Sequence, residues 1–288
     1  MTARKKTLLV NAIHNFKPSA GTRRLIRAAL AEDLGGGDRT TDLLIPPSAQ
    51  GRAEIVARSD GFFCGAPVVE EVMSAAGGKV DLEFPVGEGQ PFKKGAIVVR
   101  LKGAVSSILK GERTALNFIA RLSAIAAQTR RYVEAVKRYP VLILDTRKTT
   151  PLWRELEKYA VRCGGGKNHR MGLYDAVFIK ENHRPYGDLS KLKSVRGRFE
   201  IEVRNQEELK QALKYQPRVI LFDNFTPSRL NQAVHYCRSV SPETTLEASG
   251  GITLENVAHY AAMGVDWISV GALTHSVKSQ DFSLLLKK

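Results

Sequence analysis

The chain has 288 residues and a formal net charge of +15, with lysine and arginine scattered along its whole length and few aromatic residues. This length suits two domains. The charge indicates anionic partners, which are nucleic acid, an anionic membrane surface or small molecules rich in phosphate and carboxylate. Because nucleic-acid binders usually concentrate their charge beside a recognisable module, we expect small-molecule ligands and no nucleic acid.

The cysteines and the apolar runs bear on location. Cys64, Cys163 and Cys237 are odd in number and lack the spacing of a zinc site or a disulfide framework. A reducing, cytoplasmic compartment is therefore expected. The apolar run 8–10 is too short for a signal peptide, and no run approaches the roughly 20 residues that cross a bilayer. We expect neither export nor membrane insertion.

The first third of the chain mixes helices and strands without regular alternation. Start and stop signals at Ser19 and Gly35 predict a helix between them, and a second helix is predicted over 66–76. Strands are predicted over 80–84 and 96–101. This order is typical of an α+β domain.

A helical pattern without proline then runs over 105–138. It predicts a long helix or a broken pair of helices that links two domains. Most of its residues belong to a core. Arg113 is the one candidate functional residue on it, although the neighbouring Glu112 could simply balance its charge.

After Pro140 short apolar strands alternate with helices, the pattern of a parallel sheet. Six strands are predicted, over 141–145, 176–180, 199–203, 219–223, 245–249 and 267–271. A complete eight-stranded barrel needs about 250 residues, which is far more than this region offers. The domain is therefore either a reduced or open barrel or a doubly wound sheet. Ligands bind at the carboxyl ends of the strands in both cases.

Polar and charged residues recur at these strand ends. They are Thr146, Arg147 and Lys148, then Lys180, Glu202, Asp223, Ser249, Gly250, Gly251, Val270, Gly271 and Ala272. The segment 145–183 also contains a triple glycine and the triplet Asn168-His169-Arg170, which add flexible backbone and hydrogen-bond donors. Any one of these residues could be an ordinary loop charge or a helix cap, but their convergence predicts a pocket for polyanions.

Two parts of this pocket have a more specific chemistry. The glycine turns 249–251 and 270–272 follow the last two strands, where barrel folds bind a phosphate with backbone N–H groups. Glu202 and Asp223 could share Mg²⁺ or accept hydrogen bonds from sugar hydroxyls, or they could be helix caps or partners of arginine. His169 is assigned to substrate positioning, with a purely structural histidine as the alternative.

Six motifs, in this order and spacing, resemble the quinolinate phosphoribosyltransferase family. They are GERTALNF, DTRKTTP, KYAVRCGGGKNHR, IKENH, EASGGI and GVDWISVGALTHS, and the earlier ALAEDLGGGDRTT is similar to that family too. The resemblance covers nearly the whole chain. It implies transfer of the phosphoribosyl group of phosphoribosyl pyrophosphate (PRPP) to quinolinate, with decarboxylation to nicotinate mononucleotide.

The resemblance also implies an architecture: an α/β protein with an N-terminal α+β sandwich domain over 1–115 and an open, seven-stranded α/β barrel over 116–275. The segment 276–288 is expected to return to the N-terminal domain. A homodimer or a higher oligomer and the cofactor Mg²⁺ are implied as well.

Residue roles follow from the resemblance. Arg147, His169 and Arg170 are expected to hold the carboxylates of quinolinate, together with Arg113 from a partner subunit. Lys148 and Lys180 would face the pyrophosphate and the reacting centre. Glu202 and Asp223 would serve the ribose hydroxyls and Mg²⁺, and the two glycine turns would bind the 5′-phosphate. Catalysis is assigned to Lys148, Lys180, Glu202 and Asp223.

One departure from the family pattern follows the DTRKTTP motif. A glycine is expected after Pro151, but this chain has Leu152 and Trp153. Two alternatives to the assigned reaction are a related transferase acting on another base, such as the relatives associated with molybdenum transport, and a basic nucleic-acid-binding protein on a barrel scaffold. The first alternative would be expected to lose some of the carboxylate-binding arginines and histidine, all of which are present here.

Overall fold

The computed structural model describes residues 16–195 and 199–287, and these form two compact units. The first unit comprises 16–128, 150–165 and 277–287, and the second comprises 129–149 and 166–276. These units differ from the predicted division at 115/116, which falls inside a continuous helix. They differ also at 150–165, which belongs to the first unit.

Three helices open the first unit. Helix α1 (Ala20–Leu34) begins after Ser19, whose side chain accepts a hydrogen bond from the Thr22 N–H, and ends at Gly35, as predicted. Helices α2 (Arg39–Leu44) and α3 (Ala66–Ala75) follow. Apolar residues of α1 and α3, among them Ile26 and Val72, are fully buried in the core of this unit.

The sheet of the first unit has four antiparallel strands in the order β12, β1, β5, β3. They are β1 (Gln50–Ala57), β3 (Val80–Glu83), β5 (Ile97–Ala104) and β12 (Phe282–Lys287). A separate two-stranded ribbon joins β2 (Gly61–Phe62) to β4 (Pro91–Phe92). Strand β12 lies in the segment 276–288, so the end of the chain completes the sheet that its first third begins.

Helix α4 (Val105–Ala135) is continuous, so the alternative of a broken pair was wrong. Helix α5 (Arg154–Cys163) belongs to the first unit. Just before it, Leu152 has a φ of 67°, in the left-handed region that glycine adopts without strain. The backbone therefore keeps the shape expected for the replaced glycine. The side chain of Leu152 is 82% exposed, whereas Trp153 stacks on Phe118 with ring centroids 4.6 Å apart.

The second unit contains a six-stranded parallel sheet in the order β6, β11, β10, β9, β8, β7. Its strands are β6 (Leu142–Leu144), β7 (Val177–Ile179), β8 (Phe199–Val203), β9 (Val219–Asp223), β10 (Thr245–Ser249) and β11 (Trp267–Ser269). All six overlap the predicted strands, and three of them match in both bounds. The first strand pairs with the last, as in a barrel.

The barrel is open, because β6 and β7 are the two edges of this sheet. This confirms an open α/β barrel and excludes the doubly wound alternative. The described part of the sheet has six strands rather than the seven that the family resemblance implied. A short bridge covers the free edge of β6, where Lys167 pairs in parallel with Leu144.

Short helices connect the strands of the second unit. They are α6 (Gln206–Leu213), α7 (Pro227–Val240), α8 (Val257–Ala262) and α9 (Ala272–His275), with 3₁₀ turns at Glu181–His183 and Leu189–Val195. Helix α7 begins after Thr226, whose side chain accepts a hydrogen bond from the Arg229 N–H. None of the described helices combines the length and apolarity needed to cross a bilayer.

Side chains alternate along the six parallel strands. One set, which includes Ile220, Phe222, Ala248 and Ile268, is apolar and buried. The other set points into the barrel and carries the polar residues that end each strand. This two-residue period decides which side chains reach the site described next.

Candidate active site

A cavity of about 670 Å³ lies in the second unit at the carboxyl ends of the parallel strands. Most of the predicted site residues line it. They are Thr146, Arg147, Lys148, His169, Arg170, Lys180, Glu202, Asp223, Ser249, Gly250, Gly251, Gly271 and Ala272. The strand-end positions of the sequence therefore do converge on one space.

Two predicted site residues do not line this cavity. Val270 is buried, and its N–H already donates a hydrogen bond to the carbonyl oxygen of Leu144. This N–H is therefore engaged within the sheet, and the assignment of Val270 to the phosphate turn stays a prediction. Arg113 lies on α4 in the first unit, where its side chain is exposed.

Several charged or aromatic residues of this region were missed by sequence reasoning, and three of them lie on the strands. Phe178 and Glu247 line the cavity, and Glu200 contacts His169. The two-residue period of a strand could have found them. A step back of two positions from Lys180, Glu202 and Ser249 leads to 178, 200 and 247.

The loop after β6 is held in place by Asp145, which is fully buried. Its carboxylate accepts hydrogen bonds from Asn168 Nδ2 at 2.6 Å and from the His169 N–H at 2.8 Å. Two backbone hydrogen bonds beside β6 fix Lys167 as well, from its N–H to Ile143 and from the Asp145 N–H to Lys167. Together these contacts position His169 and Arg170 at the cavity.

Phe178 supports two of the cations. The Arg170 guanidinium lies 4.9 Å from the centre of its ring, and Lys180 Nζ lies 5.0 Å from the same centre. Both are within the range of a cation–π contact. Burial lowers the pKa of Arg170, and the charge of Arg147 lowers it further. Because the positive charges of Arg147 and Arg170 repel each other, an anionic ligand that contacts both is favoured.

Lys180, Glu202 and Asp223 form what we call the lysine cluster. Lys180 Nζ lies 2.7 Å from Glu202 Oε2. Burial raises the pKa of Asp223, and the negative charge of Glu202 raises it further, while a hydrogen bond from Asn224 lowers it. Two neighbouring carboxylates with one ammonium group leave a net negative charge, which suits hydroxyl groups and a divalent cation.

His169, Glu200 and Glu247 form the histidine cluster. The Nε2 atom of His169 lies 3.2 Å from Glu200 Oε2 and 3.6 Å from Glu247 Oε2. Burial lowers the pKa of His169, but the carboxylates of Glu200 and Glu247 beside Nε2 raise it, to about 10. Nδ1 opposes this rise, since it accepts a hydrogen bond from the Arg170 N–H at 2.8 Å and a proton on Nδ1 would remove that bond. In the arrangement described, the ring carries its proton on Nε2.

The turn after β10 requires glycine at position 250. Gly250 has a φ of 88°, and a Cβ atom there would lie 2.3 Å from Asn224 Oδ1 and 2.8 Å from the Asn224 nitrogen. Gly251 is also left-handed, with a φ of 61°. Since Gly250 and Gly251 have no side chains, the backbone of this turn can approach a ligand closely.

A second cavity of about 430 Å³ lies toward the amino ends of the strands. Its lining is largely apolar and includes Leu142, Val177 and Trp267. His169 and Arg170 line both cavities. The histidine cluster therefore forms part of the floor of the first cavity.

Comparison with known proteins agrees with this geometry. The model of the quinolinate phosphoribosyltransferase C-terminal domain matches residues 125–285, and that of the N-terminal domain matches 38–123. A probable nicotinate-nucleotide pyrophosphorylase (carboxylating) from Bacillus subtilis is 40% identical over 91% of this chain and 92% of its own length. The nicotinate-nucleotide pyrophosphorylase (carboxylating) of Mycobacterium leprae is 40% identical over 91% of this chain and 96% of its own.

Solved structures are similar too. The nicotinate-nucleotide pyrophosphorylase from Francisella tularensis superposes with a TM-score of 0.87 at 38% identity, covering 95% of this chain and 99% of that protein. Sequence, fold and cavity agree, and this chain belongs to the quinolinate phosphoribosyltransferase family.

Proposed function

We propose that this protein transfers the phosphoribosyl group of PRPP to quinolinate and releases pyrophosphate and CO₂, giving nicotinate mononucleotide for NAD biosynthesis. Family membership supports this reaction. The observation that carries it is the composition of the cavity, where a group of arginines and lysines lies beside a carboxylate pair and a glycine turn. Such a site has a place for a dicarboxylate and a place for a sugar phosphate.

The dicarboxylate would bind at Arg147, His169 and Arg170. A guanidinium group donates two parallel hydrogen bonds to a carboxylate, so two arginines suit a ligand with two carboxylates. The contact with Phe178 holds the Arg170 guanidinium, and the hydrogen bond from the His169 N–H to Asp145 holds the loop beside it, before the substrate arrives. Such preorganisation lowers the entropy lost on binding.

The sugar phosphate would bind opposite these arginines. Glu202 and Asp223 would accept hydrogen bonds from the ribose hydroxyls. Ser249, Gly250, Gly251, Gly271 and Ala272, all of which line the cavity, would bind the 5′-phosphate. Lys148 and Lys180 would face the pyrophosphate.

The chemistry follows from this placement. As the bond between the anomeric carbon and pyrophosphate breaks, positive charge develops on the ribose, and the carboxylates of the lysine cluster would stabilise it. Lys148 and Lys180 would stabilise the negative charge on the leaving pyrophosphate. The quinolinate nitrogen forms the new bond to the anomeric carbon. The carboxylate on the adjacent ring carbon then leaves as CO₂, and the electron pair that stays on that carbon takes up a proton from water.

Mg²⁺ fits the donor set of the lysine cluster. Glu202 and Asp223 offer hard oxygen ligands. The pKa of Asp223 is raised by burial and, to a smaller extent, by the like charge of Glu202, which a cation would relieve. When bound, Mg²⁺ would neutralise charge on the pyrophosphate. Glu202 and Asp223 would hold it together with the substrate.

The protein would act as a homodimer or a higher oligomer, with Arg113 donated to the cavity of a partner subunit. The exposure of Arg113 and its place outside the cavity lining support this. A reducing, cytoplasmic compartment is proposed as well, supported by three buried free cysteines, Cys64, Cys163 and Cys237.

Subunit exchange tests the role of Arg113. Two inactive variants, Arg113→Ala and Lys148→Ala, should regain activity when mixed, because one site of each mixed dimer then contains both native residues. With random exchange, two-fold symmetry limits recovery to roughly a quarter of the native activity. No recovery despite demonstrated exchange would remove Arg113 from a partner's site.

Product formation tests the proposed reaction. Quinolinate, PRPP and Mg²⁺ should yield nicotinate mononucleotide and CO₂ in equal amounts, whereas nicotinate should be a poor substrate. A site built for two carboxylates leaves a half-buried arginine without its carboxylate partner when one carboxylate is missing, which costs roughly 1–3 kcal/mol. Turnover of nicotinate at a comparable rate would contradict the proposal.

A further inference from the structure

The proposed reaction leaves two buried acids without a role. Glu247 is fully buried and Glu200 is 6% exposed, yet both side chains converge on one nitrogen atom, Nε2 of His169. They lie on different strands, Glu200 on β8 and Glu247 on β10. This contact joins two strands and a loop that are distant in sequence, so it forms only in the folded protein.

Burial of two carboxylates is unfavourable unless each has a partner. Neither carboxylate oxygen of Glu247 accepts a hydrogen bond from the described residues. The Glu247 carboxylate forms its described ion pair with the imidazole of His169, at 3.6 Å. An acid in such a position adds little to stability, and an apolar residue of similar volume would often be more stable. A role in the site accounts for its presence better than a role in folding does.

The other side of the imidazole leads directly to Arg170. Nδ1 of His169 accepts a hydrogen bond from the Arg170 N–H, so the ring is held at both nitrogens. The carboxylates of Glu200 and Glu247 face Nε2 from the sheet. On the loop after β6, Asp145 accepts a hydrogen bond from the backbone N–H of His169, and the charge of Arg147 acts on Arg170. The acids thus fix the ring, and the ring fixes the backbone of Arg170.

We propose that Glu200 and Glu247 are positioning residues that orient the His169 imidazole through Nε2 and thereby hold Arg170 ready for a substrate carboxylate. This inference rests on the proposed function, since it assigns the two acids to the quinolinate side of that site. Their effect reaches the substrate through two hydrogen-bonded groups in sequence.

A matched set of variants tests the proposal. Glu247→Leu removes the charge and the acceptor at nearly constant volume, while Glu247→Gln keeps an acceptor. Glu243→Gln, at an exposed position of the same unit, is the control. The measurements are the KM for each substrate, kcat, the melting temperature, and the affinity for quinolinate by calorimetry.

We expect Glu247→Leu to raise the KM and Kd for quinolinate by about 10- to 100-fold, the range found when an outer partner of a binding residue is removed. The KM for PRPP should change less than about threefold, and the melting temperature should stay constant or rise. Glu247→Gln should recover part of the loss, and the control should behave like the native protein.

Three results would overturn the inference. An unchanged KM and Kd for quinolinate in Glu247→Leu would show that the acid positions nothing. Equal losses for both substrates with a large fall in melting temperature would make the cluster structural. A stoichiometric divalent metal, present in the native protein and lost in Glu247→Leu, would make it a metal site, since one histidine and two acids could also hold an ion.

The two proposals fail in different ways. If the native protein forms no product but binds quinolinate, the proposed reaction is wrong and the calorimetric comparison still decides the role of Glu247. If the native protein is active and Glu247→Leu keeps its affinity for quinolinate, only the positioning role is wrong.

Discussion

The lysine cluster and the histidine cluster each combine one basic side chain with two acids, and they differ in what the basic group does. In the lysine cluster, Lys180 is 45% exposed at its side chain and Glu202 lies beside it. In the histidine cluster, the His169 side chain is 12% exposed and its two acids are buried. The first faces the ligand space, and the second lies beneath it. We therefore propose that the lysine cluster contacts the substrates, whereas the histidine cluster orients a residue that does so.

The largest effect is expected where contact is direct. Lys180→Ala should lower kcat by about 10²- to 10³-fold, because a positioned charge next to the reacting centre is lost. Its melting temperature should change little, since the side chain is half-exposed. Lys210→Ala, at an exposed position on α6, is the control. A tenfold or smaller loss, about 1.4 kcal/mol, would remove Lys180 from the reacting centre.

The acids of the lysine cluster should determine the Mg²⁺ concentration that the reaction requires. In Asp223→Asn the Mg²⁺ concentration for half-maximal rate should rise by about tenfold, because one of two hard oxygen ligands becomes a weaker neutral one. Glu247→Gln, in the histidine cluster, should leave this concentration within about twofold of the native value, since its acid faces His169. A Mg²⁺ titration of initial rates measures both. Equal shifts in the two variants would contradict the division of roles.

The smallest effect is expected outside both clusters. Leu152→Gly should raise the free energy of unfolding by about 0.5 to 1 kcal/mol, because glycine adopts a φ of 67° without strain. Leu173→Gly is a suitable control, since Leu173 is also exposed but has no positive φ. Urea unfolding of both variants measures the difference. A destabilised Leu152→Gly would mean that contacts of the leucine outweigh its backbone strain.

The fold of the second unit could be predicted because its strands are short apolar runs bounded by clear turns. Three of six strands were predicted with both bounds correct. The sequence could not predict what pairs with the free edge of β6. Lys167 forms a single bridge with Leu144 there, and one pair of residues leaves no periodic pattern. The sequence also did not show that 150–165 belongs to the first unit, because this assignment depends on tertiary contacts alone.

The site could be predicted only in part, for a physical reason. Groups at strand ends are polar in an apolar context, so Lys180, Glu202 and Asp223 were visible in the sequence. Glu200 lies inside a strand, where an acid is read as a solvent-facing residue. The two-residue period from Glu202 puts Glu200 on the same face of the strand, and the parallel pairing of the strands places that face toward the barrel interior. The hydrogen bond from the Val270 N–H to Leu144 forms only in the folded sheet, so the sequence could not show it.

We propose that one half of the cavity binds the dicarboxylate and the other half binds PRPP. Calorimetric titration of each substrate alone, into the native protein, Arg170→Ala and Asp223→Asn, tests this most directly. We expect Arg170→Ala to weaken quinolinate binding by about tenfold or more and to leave PRPP binding within about twofold, with the reverse for Asp223→Asn in the presence of Mg²⁺. Equal weakening of both substrates in both variants, with the fold intact, would contradict the division of the site.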